Sequence, residues 1–147
     1  MQVSERQEHV AASPNLLNGQ WVADPTALQA ARLYDAALDR LPDAAGFGTW
    51  IANLKSGQTL GQMAAALMTT DTHRARYDGL SNQAYAEQLY RLILDREGEA
   101  SGVAGWVASL DAGVDRHTIL AAFSESPEHA ALTASFWQYG IMLDGGF

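Results

Sequence analysis

The chain has 147 residues, 48% of them apolar and 18% charged, and no cysteine. A length of this order suits one domain that buries roughly 70% of its unfolded surface without a disulfide or metal staple, and the missing thiols exclude disulfide and thiolate chemistry. Nine basic against seventeen acidic residues give a net charge of −8, which turns away nucleic acid and anionic membranes as general partners.

Residues 1–24 read as an N-terminal arm, polar through Ala12 and then carrying Leu16, Leu17, Trp21 and Val22. Such side chains are costly to leave in water, so the arm is expected to lie on a surface, its own domain's or a neighbour's. Fully extended it reaches about 80 Å, far enough for a partner subunit. It lacks a basic segment followed by an apolar run of about 7–15 residues, so export by a Sec-type signal peptide is not expected. No apolar run approaches the ~20 residues that cross a bilayer, so membrane insertion is not expected.

Asp24-Pro25 predicts a helix start, with the carboxylate as cap and proline at the first helical position. That helix runs to about Asp39. A second begins near Asp43 and places Phe47, Trp50, Ile51 and Leu54 on one buried face, with Gly57 as its stop. Thr59 and Gln62 have the spacing of a capping box and open a third helix with Met63, Ala64 and Leu67 inward. A short fourth element starts at Thr70.

The same plan then returns. Leu33 to Trp50 reappears without a gap as Leu89 to Trp106, and fifteen of the forty-four positions from 30 to 73 are identical 56 residues further on. In the second copy Ser81 caps the first helix, Val103, Trp106, Val107 and Leu110 form the matching face, Asp115 caps the third helix with Ile119, Leu120 and Phe123 inward, and Ser126-Pro127 starts the fourth. Strand patterns are absent. The expectation is an all-α, compact single domain of about eight mostly short helices, built from two tandem units at about 25–78 and 81–135 within a helical domain spanning 25–139. Neither unit alone encloses its tryptophan, so the halves should share one core.

The stretch from Phe136 to Phe147 departs from the repeat and concentrates Phe136, Trp137, Tyr139, Ile141, Met142, Leu143 and Phe147 around one charge, Asp144. A helix completing the core up to Leu143 is one reading; an aromatic peg that docks on a partner is the other, since interface centres favour these residues and exclude charge. Residues 140–147 read as a C-terminal tail. With the arm, the partner-binding candidates are Leu16, Leu17, Trp21, Trp137, Tyr139, Met142 and Phe147.

Candidate chemistry is thin. Asp39-Arg40 and Asp95-Arg96 recur at equivalent corners, but they and their acidic neighbours offer too few oxygens for a strong calcium loop, so a structural corner is preferred. His73 and His129 are equivalent positions without the further ligands a zinc site needs. Ser124 and Ser126 have no nucleophile elbow beneath them, and no glycine-rich loop follows a strand to cradle phosphate. Tyr34, Tyr90, Trp50 and Trp106 have the makings of sugar-stacking platforms, yet their helical spacing reads as core. No catalytic residue, metal ligand or cofactor is predicted.

The combined pattern of Leu89-Tyr90, Leu94-Asp95-Arg96, Gly102, Trp106, Leu110, Gly113 and the run from Phe123 to His129 resembles the bacterial repeat family known as domain of unknown function 4214. Leu33-Tyr34, Asp39-Arg40, Pro42-Asp43, Gly46 and Trp50 repeat it. The resemblance implies a helical module of bacterial surface and secreted proteins, often found beside calcium-binding repeats and distantly similar to phycobilisome linker domains, with no catalytic residues to carry over. The function expected is a non-catalytic structural or adaptor subunit of a bacterial surface, secreted or phage-like particle assembly, attached to other protein subunits through its terminal segments. A secreted module that binds glycan or calcium is the alternative. The location expected is extracellular or particle-associated, with the cytoplasm still open.

Overall fold

Short polar side chains set the helix starts in this protein, and the computed structural model, which describes residues 25–40 and 44–137, shows them taking up orphan amides. Helix α1 (Pro25–Leu38) opens on its proline, and α2 (Ala44–Lys55) follows. At α3 (Leu60–Leu67) the capping box is complete: the Gln62 amide donates to Thr59 Oγ1 at 3.0 Å, and the Thr59 amide to Gln62 Oε1 at 2.8 Å. Thr70 receives the His73 amide at α4 (Asp71–Tyr77), Ser81 the Ala84 amide at α5 (Asn82–Ile93), and Ser126 the His129 amide at α8 (Pro127–Thr133). Between these last two lie α6 (Ala100–Asp111) and α7 (Arg116–Ser124). Asp24 and Asp43, expected as caps, fall outside the described residues. All regular structure among the described residues is helical.

Asp115 is the cap residue of α7, as expected, but makes no side-chain cap bond; its carboxylate lies 3.7 Å from the His117 imidazole. A 3-10 turn, Ala134–Trp137, follows α8, with Phe136 half-exposed; residues 138–143, which one of the two readings made helical, lie outside the described residues.

The helix ends also follow from local chemistry. Gly57 and Gly113 close α2 and α6 with φ of 119° and 102°, a backbone that side chains resist. Asp39 and Asp95, just past α1 and α5, adopt φ of 54° and 55°, in the left-handed region that aspartate tolerates better than most residues because its short carboxylate can bond locally. The recurring Asp-Arg pair therefore marks a chain reversal used twice.

Packing centres on α1, which meets α2, α3, α4, α5, α7 and α8. Five of its residues are buried alanines, Ala27, Ala30, Ala31, Ala36 and Ala37, and their small side chains let neighbours approach from several sides. Met63, Ala64 and Leu67 of α3 are buried alongside Ile119, Leu120 and Phe123 of α7, and these two helices pack together. One apolar cluster thus draws on both halves. Polar links reinforce the join. Arg32 grips Glu125 with two hydrogen bonds, at 3.0 and 2.7 Å, and His129 Nε2 lies 3.0 Å from Asp35 Oδ2 while its Nδ1 faces the Ser124 carbonyl at 2.8 Å.

Trp50 and Trp106, expected on the buried faces beside Phe47, Ile51, Val103 and Leu110, are only half-buried against the core. Indoles are large and seldom fully enclosed, and a buried N–H needs a partner.

Candidate functional site

The second half carries an open groove of about 350 Å³ between the α5–α6 corner and the start of α8, with Tyr90, Leu94, Trp106 and Phe123 as its apolar walls and Arg96 and Glu128 at its rim. Each wall has a local cause. Tyr90 is held by the backbone beneath it: a Cβ at Gly98 would stand 2.5 Å from the ring, and one at Gly102 would stand 2.6 Å from the hydroxyl, so both glycines are required by close approach. Phe123 meets the Tyr90 ring edge-on at 5.1 Å and the Trp106 ring at 5.2 Å.

Arg96 organises the rim. Its Nε and Nη2 donate to the two Glu128 oxygens at 2.7 and 2.9 Å, its Nη1 donates to the Glu97 carbonyl at 3.0 Å, and its guanidinium lies 5.1 Å from the centre of the Tyr90 ring. The bond to Arg96 holds the Glu128 carboxyl below the usual range. Glu99 is lowered too, first by its own backbone amide and then by Arg96, and the Arg96 guanidinium is pushed further up by Glu128. The pair is therefore a fixed, fully charged clamp across the corner.

At the equivalent positions of the first half the tryptophan and tyrosine are bonded to each other. Trp50 Nε1 donates to Tyr34 Oη at 3.0 Å. In the second half the indole N–H of Trp106 and the hydroxyl of Tyr90 have no hydrogen-bond partner among the described residues, and both rings pack on Phe123, where the first half has Leu67.

The other predicted residues sort as follows. Asp39 lies 3.6 Å from Arg76 across its corner, and Arg40 is exposed; Asp95 sets the backbone turn that presents Arg96. Leu16, Leu17, Trp21, Tyr139, Met142, Phe147 and the Trp137 side chain lie outside the described residues. His73 and His129 have separate surroundings: His73 Nδ1 donates to the Ala37 carbonyl at 3.0 Å, and its ring stacks on Tyr77 at 4.4 Å. Its Nε2 and the Tyr77 hydroxyl are buried without a hydrogen-bond partner among the described residues. Burial lowers the His73 pKa and raises that of Tyr77. Among the described residues no group of three or more candidate ligands gathers for a metal ion, and no helix is long and apolar enough to cross a membrane.

Sequence reading missed Phe123 as a wedge, Glu128 as the clamp's second arm, and the groove itself. The signal was available at matched positions, where Leu67 and Thr72 of the first half are replaced by Phe123 and Glu128.

Fold and groove together define a small all-α module with an aromatic recess on one half. Residues 64–133, from α3 to the last turn of α8, match the model of the family described as Domain of unknown function (DUF4214). No curated protein and no solved structure shows significant similarity to the chain.

Proposed function

We propose that this chain is a non-catalytic structural or adaptor subunit of a bacterial surface, secreted or phage-like particle assembly, with the first half a diverged second copy of the family's unit. The observation that carries the reading is how the ionisable side chains are used. Arg32 with Glu125 and His129 with Asp35 tie the halves together, and Arg96 with Glu128 braces a corner. Apolar side chains also reach the surface, with Leu92, Val114, Leu132 and Phe136 exposed among the charged ones. Such a body offers shape and apolar attachment, as interface centres do. The terminal segments, with Leu16, Leu17, Trp21, Trp137, Tyr139, Met142 and Phe147, supply further attachment.

Trp106 and Tyr90 beside charged groups favour a second reading, a secreted glycan-binding module. One measurement separates the two. Native protein released gently from its source should travel in a stoichiometric particle far heavier than the 15.8 kDa chain. A monomeric species that binds sugars on a glycan array would instead establish the second reading and remove the first.

A further inference from the structure

We propose that α4 is an acid-released flap: a proton taken up by His73 frees this short helix from α1, while its counterpart α8 in the second half stays docked. The inference is independent of the assembly reading and concerns the folded chain alone.

The two helices occupy matched places and hold their histidines differently. Both imidazoles are buried, and each turns Nδ1 to a backbone carbonyl, that of Ala37 for His73 at 3.0 Å and that of Ser124 for His129 at 2.8 Å. A carbonyl only accepts, so Nδ1 carries the hydrogen in both rings, and any second proton must sit on Nε2. For His129 that nitrogen faces the Asp35 carboxylate at 3.0 Å, an acceptor able to receive it. His73 Nε2 has no hydrogen-bond partner among the described residues. A proton there creates a buried cationic N–H without an acceptor, which burial penalises heavily until the ring reaches water.

The charges around His73 do not repair this. Its own helix brings Asp71, Arg74, Arg76 and Asp78; Arg74 is bonded to Asp78 at 3.0 Å, and Arg76 opposes a positive ring while Asp78 favours it. At the end of α1 stand Asp39 and Arg40, with Asp39 3.6 Å from Arg76. From α5 comes Tyr85, edge-on to Tyr77 at 5.3 Å, with Arg116 of α7 4.4 Å from the centre of the Tyr85 ring. Burial is the largest influence on His73 and lowers its pKa.

The flap is also weakly held. It has seven residues, packs chiefly on α1, and buries a second orphan, the Tyr77 hydroxyl. Both orphans regain hydrogen bonds in water. Gly79, at φ of 81° with open space where a Cβ would stand, supplies a bend just beyond the helix. Departure of α4 uncovers Ala37 and the Tyr85 ring, an apolar face presented only in acid.

The test is amide hydrogen exchange by NMR on the full ¹⁵N-labelled chain between about pH 7.5 and 4.5, each rate divided by its intrinsic value at that pH. His73 binds its proton more readily once released, so opening gains as the pH falls through about 6.5 towards the docked value and levels off below it. Protection at Arg74 and Asp78, whose amides bond within α4 and its cap, should fall by up to about tenfold per pH unit in that window, the limit for one proton. Protection at Ala130 in α8 should hold. His73→Asn, whose side-chain amide can keep the bond to Ala37, should remove the dependence; should it fail to fold, the comparison of α4 with α8 in the unaltered chain decides alone. Asp39→Asn should leave the dependence in place. A flat α4 profile, an equal loss of protection in α8, or a slope that survives His73→Asn overturns the proposal. So does a slope that disappears with Asp39→Asn, which would move the sensor to the pair with Arg76.

Discussion

In the first half a tryptophan and a tyrosine satisfy each other, Trp50 donating to Tyr34; at the same two positions of the second half, Trp106 and Tyr90 pack on Phe123 and leave a groove. The first helices differ in the opposite sense. Helix α1 is buried among neighbours from both halves, while α5 buries one face with Tyr85, Ala86, Leu89, Tyr90 and Ile93 and leaves Leu92 exposed. One half forms the framework, and the other presents a surface. The recurring residues thus set helix boundaries and corners, whereas the residues between the matched ones decide which half lies at the centre.

The sharpest way to break this comparison exchanges matched residues. Ala36 is 2% exposed and corresponds to Leu92, 40% exposed. Ala36→Leu forces a branched side chain into a packed crossing and should lower unfolding stability by about 3 kcal/mol. Leu92→Ala should change it by less than about 0.5 kcal/mol. Equal effects in urea titrations would mean that the two helices are equivalent after all.

A smaller effect should appear alike in both halves. Asp95→Ala keeps a side chain in the left-handed region without the local hydrogen-bonding capacity and should cost about 1 kcal/mol, as should Asp39→Ala, while Asp95→Gly should be close to neutral. A destabilising glycine variant would show that the carboxylate, not the backbone, matters there.

Smaller still and again one-sided, Tyr34→Phe removes the acceptor for Trp50 and should cost about 1 kcal/mol, with Tyr90→Phe near zero by thermal unfolding. The last test is on pH. His73 is buried with its pKa lowered below 6.5, so the unfolded chain takes up a proton first as the pH falls. Stability should decline as the pH drops through about 6.5 towards the folded value, and be retained above it. His73→Gln should flatten that slope, and an unchanged profile would assign it to other groups. The lowered carboxylates, Glu128 held by Arg96 and Glu99 held first by its own backbone amide, act at lower pH, below their ordinary value of 4.5.

Helix boundaries were legible in the sequence because capping is local: Thr59 with Gln62, Thr70, Ser81 and Ser126-Pro127 each bind an amide within three residues. The inward faces were legible for the same reason, Phe47 with Ile51 and Ile119 with Leu120 and Phe123 recurring at the helical period. What could not be read is set by distance along the chain. Arg32 meets Glu125 across 93 residues and Arg96 meets Glu128 across 32, and no spacing rule links such pairs. Alanine hid the importance of α1, since a residue common everywhere gives no pattern when buried on several sides. The groove was obscured because tryptophan at a helical step looks like core whether or not its edge is covered.

The central place of α1 bears on how the protein is made. Its neighbours α7 and α8 follow it in the chain, α8 ending about 95 residues after Leu38, which at about 5–20 residues per second is a delay of roughly 5–20 s. During that interval the alanine-rich helix has α2 to α5 beside it but not α7 and α8, so its enclosure is completed only once the second half has been made.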